Sequence, residues 1–309
     1  MTLIWRKSTI AAKIETTAGS IESLTNAEGV FNAFNSVINP DATFEERPAQ
    51  GSYGHMPGVV GMRSGTMTFT TELFGDGAGG VPGWASTLLP ACGWVNSAGV
   101  FTPRTEAPGS NVKTVTIAKY ENGVAKRLRG AMGMFSIVMA VGNRVLINWT
   151  FRGAWQAPED VALLAPTYPT RSPMRATGTY TLASAAHCFS SMTINSGNNL
   201  ILRPCITASD GSGIATAHVG NRLPTGSFDP ESKLVATDDR YGRWLAGTEQ
   251  ALSIAFADAA DTITIAAPKV QIRNPQEADR EGLQVDNIEF QCNKNSGDDE
   301  LSITFAGTT

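Results

Sequence analysis

Runs in which apolar and polar residues alternate dominate the chain, and such alternation marks a sheet strand with one face buried. Val145, Ile147, Trp149 and Phe151 alternate with Leu146, Asn148, Thr150 and Arg152, giving one strongly apolar face and one mixed face. Leu301, Ile303 and Phe305 alternate with Ser302 and Thr304 in the same way. Leu283 and Val285 share one phase while Ile288, Phe290 and Cys292 sit one step out, so a bulge is expected near Asp286-Asn287. Helical signals are few. Segments 82–89 and 238–246 each carry a Trp, and Gly93 and Gly247 stand where they can end a short helix packed on a sheet.

The chain also repeats itself. Ile38-Asn39 is followed by Arg47-Pro48, Ile194-Asn195 is followed by Arg203-Pro204, and one offset of 156 residues superposes both pairs. Gly65 stands nineteen residues before Trp84, and Gly226 eighteen before Trp244. The expectation is a mainly β chain of two similar domains, residues 1–160 and 175–309, each a β-sandwich or barrel-like sheet pair with a short flanking helix. Pro158, Pro166, Pro169 and Pro173 make residues 161–174 an extended Pro-rich linker. Residues 95–122, where Pro103, Pro108 and Gly109 separate two strand-like runs, read as a hairpin inserted in the first copy. Polar, Gly-rich stretches follow both Arg-Pro pairs, at 49–61 and 207–221, and long loops recurring at one place favour a functional role.

Composition narrows the function. With 309 residues there is room for two cores without metals or disulfides. The low charged fraction of 17% suits a β protein that hides surface against neighbours, although a β-rich monomer with a polar surface shares it. A net charge of −4 argues against a surface that grips nucleic acid. The first residues lack the apolar core of a secretory signal and no run reaches membrane-spanning length, so the chain is expected to be made in a cytoplasm.

The four cysteines lack zinc-site spacing. Cys188 and Cys205 lie symmetrically about Ser196-Gly197, so a hairpin turning there would permit a bridge, and free thiols are the reading for a reducing compartment. His187 and Cys188 are adjacent, and neighbours on a strand point to opposite faces, which removes them as a catalytic pair. Residues 75–80 are Gly-rich but lack the Lys-Ser or Lys-Thr of a phosphate loop. No catalytic, cofactor or metal residue is expected, and the chain reads as a non-enzyme.

Four segments carry a family likeness: Lys13-Ile14-Glu15-Thr16-Thr17-Ala18-Gly19; Gly83-Trp84 with Leu88, Leu89, Ala91, Cys92 and Gly93; Pro224-Thr225-Gly226-Ser227; and Ser296-Gly297-Asp298-Asp299-Glu300-Leu301. In this order they resemble the long form of phage tail tube protein, the major tail protein of long-tailed bacteriophages. The resemblance runs nearly end to end. It implies rings that stack into a hollow virion tail, assembled in the bacterial host cytoplasm with no membrane contact. Genomic DNA and the tape measure protein would pass through the lumen, with tail terminator and tail tip proteins as further partners.

In forms with two tube domains per chain, three copies make a pseudo-sixfold ring. A single tube domain with an immunoglobulin-like decoration, six chains per ring, is the competing arrangement. A carbohydrate-binding β-sandwich of a virion surface, using Trp5, Trp94 or Trp155, is a further alternative. Ring stacking is assigned to Arg47, Pro48, Tyr53, His55, Arg203, Pro204, Asp210 and His218, with the equal alternative that Arg47 and Arg203 pair within their own domains and the prolines end strands. Glu45, Glu46, Asp286 and Glu289 are candidate lumen-facing acids or ordinary surface charges.

Overall fold

The computed structural model describes residues 4–28, 31–105, 113–183, 185–208 and 210–308. Strands dominate it. The first half contains β1 (Ser8–Ile14), β2 (Ala33–Pro48), β3 (His55–Glu72), α1 (Gly83–Ala91), β4 (Trp94–Ser97), β5 (Val100–Pro103), β6 (Val115–Glu121), β7 (Val124–Ala140), β8 (Leu146–Trp155) and β9 (Glu159–Asp160). The second contains β10 (Thr179–Leu182), β11 (Ala185–Ala186), β12 (Phe189–Asn195), β13 (Asn198–Pro204), β14 (Ile214–Arg222) and β15 (Thr225–Pro230). It continues through α2 (Arg240–Leu245), β16 (Glu249–Ala257), β17 (Asp261–Arg280), β18 (Leu283–Asn293) and β19 (Ser302–Gly307). The alternating segments behave as their pattern dictates. β8 buries Ile147, Trp149 and Phe151 and leaves Asn148 exposed, and β19 buries Ile303 and Phe305.

Antiparallel pairing follows the order β1-β6-β7-β8-β3-β2 in the first half. It follows β10-β16-β17-β18-β15-β12 in the second, which is the same order with the same connectivity and a helix at the same point. A walk across the first sheet runs Asn39, Thr66, Arg152, Met132. The parallel walk across the second runs Asn195, Thr225, Gln291, Gln271, so the two Ile-Asn pairs occupy equivalent places. The glycine landmark does not: Gly226 faces Ile194, whereas Ile38 faces Met67 and Gly65 sits two residues further along, opposite Pro40.

The halves share one core rather than touching at a surface. β12 lies antiparallel against β7, with Ile194 facing Ile137, and β19 takes Phe101 of β5 opposite Ile303. Trp149 contacts Phe69, Trp84 and Phe135, and Trp84 in turn meets Phe305 edge-on at 5.8 Å. Residues 161–174 carry neither helix nor strand.

Several expectations change. The hairpin expected at 95–122 is only β4 and β5, because β6 is a fully buried strand between β1 and β7 and the counterpart of β16. Pro108 and Gly109 lie outside the described residues. The chain does not turn back at Ser196-Gly197: β12 and β13 run on in line and pair with β15 and β14, so Cys188 and Cys205 are not brought opposite one another, and all four cysteines are free. Near Asp286-Asn287 the β17–β18 register is unbroken, and the shift falls instead on β17 between Ile272 and Asn274. The phase breaks at Asp286 because Arg240, brought in by α2, gives that buried carboxylate a partner at 2.6 Å.

Candidate assembly surface

The segments expected to be long loops after the Arg-Pro pairs are mostly strand. In the first half the outer parts of β2 and β3 form an arm whose last pairs are Arg47 with Met56 and Pro48 with His55, leaving 49–54 as its tip. In the second half β13 and β14 form the corresponding arm, with 205–208 and 210–213 at its tip. Gly-rich polar sequence conceals these strands because the first arm is held by backbone pairing and the second buries only a few small or isolated apolar residues such as Leu200, Ile214 and Ala217.

The second arm lies across the first half. Leu200 and Ala217 bury against Met132, with Leu202 and Val219 packed beside them. At the arm's base, the Asn198 side-chain amide donates to the carbonyls of Cys92 and Gly133 at 2.8 and 2.9 Å. At its tip, Arg129 clamps Asp210 through two hydrogen bonds, Nε to Oδ2 at 2.7 Å and Nη2 to Oδ1 at 2.5 Å, and also donates to the carbonyls of Ala215 and Ile214 at 3.0 Å each. Two parallel bonds of this kind are the geometry a guanidinium offers a carboxylate.

Glu15 prepares this clamp from below. Its buried carboxylate accepts from the backbone N–H groups of Gly19 and Gly130, both at 2.7 Å, and from the Thr114 and Thr116 hydroxyls. The Gly19 carbonyl then accepts from Arg129 Nη1 at 2.8 Å. Gly130 has φ +55, and a side chain there would meet the Ala215 carbonyl at 3.0 Å, so the arm's close approach requires a glycine. Partial burial alone would raise the Asp210 carboxyl, but its bonds from Arg129, Ser212 and Gln156 overcome that and hold it well below the usual carboxylate range.

The first arm is tied to the second only near its base among the described residues, where Arg63 donates through Nη2 to the Asp210 carbonyl and through its backbone N–H to the Ser212 carbonyl, both at 2.9 Å. Phe44, Tyr53, Met56, Val59 and Val60 are all exposed on the first arm, and Arg47 Nη1 donates to the Pro57 carbonyl of its own arm at 3.4 Å. His55 and Pro48 are exposed at its end, as are Glu45 and Glu46 along β2. On the second arm Arg203 and Pro204 are exposed at the end of β13, and His218 is half-buried on β14 opposite Ile201. The expected stacking residues thus divide into the exposed arm ends, His218 half-buried along its arm, and Asp210, which is held inside its own chain. Among the expected lumen acids Glu289 is exposed on β18, but Asp286 is buried, bonded to Arg240, Ser232 Oγ and Tyr241 OH.

Sequence reasoning missed Arg129, Gly130 and Asn198. Glu15 lay within a segment singled out for its likeness, but nothing in one sequence shows that it faces residues 114–130. The chemistry elsewhere is structural: burial pushes the Cys292 thiol up to about 12 and raises the Cys92 thiol as well, which keeps both protonated. No cluster of three or more potential metal ligands occurs among the described residues.

Residues 5–292 match the family model described as phage tail tube protein. No curated protein matches the chain.

Proposed function

The chain belongs to the phage tail tube protein family, and we propose that, as a structural tail tube protein, it closes into rings of three copies that stack into a hollow tail conducting DNA. The observation that carries this reading is the repeated pairing order, β1-β6-β7-β8-β3-β2 and β10-β16-β17-β18-β15-β12, joined within one chain by β7 on β12. Two like units in one chain supply six like positions from three chains, and an exposed strand edge is tolerable when the next unit completes it. The shared order favours residues 1–160 and 175–309 as two tube domains over a tube domain with an immunoglobulin-like decoration.

The exposed arm ends, with Arg47, Tyr53, His55, Arg203 and Pro204, are the proposed contacts between stacked rings. The net charge of −4 and exposed acids such as Glu45, Glu46 and Glu289 suit a lining that lets DNA slide, since clustered cations would hold it by its phosphates. Tape measure, terminator and tip proteins are the partners this role implies.

Electron microscopy of the purified, concentrated protein tests the reading. Uniform hollow tubes whose layers average to sixfold-like order from three chains are expected. A persistent monomer, even when mixed with tail-tip complexes, overturns it.

A further inference from the structure

The two halves of the chain are joined by β7 of the first and β12 of the second. β8 occupies one edge of β7, while β6 occupies the other edge only as far as Ala131. Beyond it, residues 136–140 take β12 on that second edge, with Ser136 facing Asn195, Ile137 facing Ile194, Val138 facing Thr193 and Met139 facing Met192. Val141 N–H extends the ladder to the Ser190 carbonyl at 2.9 Å. Met139 and Val141 thereby enter a cleft shared with Tyr180 and Phe189, between β10 and β12.

β17 repeats this arrangement, except that no described strand stands where β12 stands beside β7. β18 occupies one edge of residues 269–280, and β16 occupies the other only as far as Gln271. Trp149 faces Phe135 where Ile288 faces Pro275, which makes Gln276, Glu277, Ala278 and Asp279 the counterparts of Ser136, Ile137, Val138 and Met139, and Glu281 that of Val141. No described strand pairs with the far edge of 272–280. β2, the counterpart of β12, pairs with β3 and with no other described strand. A cleft lies between β1 and β2 as it does between β10 and β12, lined by Trp5, Arg6, Thr9, Phe34, Ser36 and Tyr168.

We propose that the β17–β18 hairpin end of one copy enters the β1–β2 cleft of a second copy and extends its sheet through β2. The register copied from the internal junction places Gln276 opposite Asn39, Glu277 opposite Ile38, Ala278 opposite Val37 and Asp279 opposite Ser36. Charge supports this occupant. The internal cleft receives Met139 and Val141, whereas the open one would receive Asp279 and Glu281. Arg6 lines that open cleft and supplies the positive charge, whereas Lys119, 3.9 Å over the Trp5 ring and donating to the Ser36 carbonyl at 2.9 Å, is already paired with Glu121 at 2.7 Å. The same docking carries the first arm over the neighbour's β17–β18 sheet, as the second arm lies over β7 and β8. The inference rests on the tube reading above.

Hydrogen exchange on unmodified protein, as monomer and as tubes, tests the pairing without any substitution. The amides of Ser36, Ile38, Glu277 and Asp279, which the copied ladder turns toward the open edges, should exchange at least about tenfold more slowly in tubes, as newly paired strand amides do. In a Cys188→Ser, Cys205→Ser background, Val37→Cys with Ala278→Cys should oxidise to reducible multimers, because directly opposed Cα atoms lie within disulfide reach. Val37→Cys with Asp279→Cys should not, since a one-residue shift turns the side chains to opposite faces. Arg6→Glu should weaken assembly and Glu281→Arg should restore it. Tubes with both segments still exchanging freely, cross-links only from the shifted pair, or loss without rescue by the charge swap overturn the proposed docking while leaving the tube standing. Failure of the unmodified protein to form tubes overturns the tube and the docking together.

Discussion

The ends of β7 and β17 stand at equivalent places in two sheets of identical order, yet their side chains differ in kind. Phe135, Ile137 and Met139 are buried on β7, whereas their counterparts Pro275, Glu277 and Asp279 are half-buried or exposed on β17. The arms differ in the same direction, one laid on a bed of apolar and ionic contacts and the other bare beyond its base. The first strand is covered from the moment the chain folds, so it is free to be apolar. Under the docking proposed above, the second must remain soluble until another copy arrives, and inward-pointing charges on an unpaired strand guard against premature pairing. Topology is therefore retained where it builds the unit, and sequence diverges where the timing of burial differs.

Removing the clamp of the docked arm should break the contrast most severely. Arg129→Ala leaves Asp210 partly buried without its cation, a change that costs about 3–5 kcal/mol when a buried pair loses one member. Arg47→Ala, on the free arm, should stay within ~0.5 kcal/mol, as ordinary surface substitutions do. Urea titration of the monomers checks both, and equal losses would show that the two arms are not differently held.

Converting the bare strand toward its covered twin should come next. Glu277→Ile restores the residue type found at Ile137 and removes one guarding charge. Association should set in at a concentration about tenfold lower, since burying an aliphatic side chain contributes about 1.5–3 kcal/mol. Sedimentation velocity across a dilution series reads this directly, and unchanged association would mean that Glu277 guards nothing. A smaller effect is expected from Phe44→Ser on the free arm. Its monomer stability should move by less than ~0.5 kcal/mol, while tube yield falls. A destabilised monomer would instead place Phe44 in contacts within its own chain.

Much of the fold was legible because its strands bury one face. Ile147, Trp149 and Phe151 announced β8, and Trp84 and Trp244 lie in helices close to where the sequence put them. Both arms read as loops in the sequence, the first because exposed strands need no alternation and the second because glycine and small polar residues surround its few buried positions, Ile214 and Ala217. β6 reads as part of an insertion because all seven of its residues are buried, polar ones included, so it shows no two-residue period. Asp286 looked like a surface acid because its partner Arg240 lies 46 residues away. Asp210 was placed in the right tip, but its bond to Arg129 joins the two halves of the repeat across 81 residues, a relation that a single sequence does not display.

That bond also gives the comparison its pH signature. Asp210 titrates well below the usual carboxylate range because the bonds from Arg129, Ser212 and Gln156 outweigh the opposing effect of partial burial. A carboxylate whose folded pKa is depressed stabilises the fold fully above its unfolded value of about 3.9, and that contribution is lost as pH falls toward the folded pKa. The docked arm should therefore hold an unchanged exchange pattern in 198–222 from pH 8 to pH 5 and loosen only in stronger acid. Asp210→Asn, which cannot ionise, should abolish the part of the acid loosening that arises from this clamp. Loosening of 198–222 near pH 6 would require that another group, and not the Arg129 to Asp210 clamp, holds the arm in place.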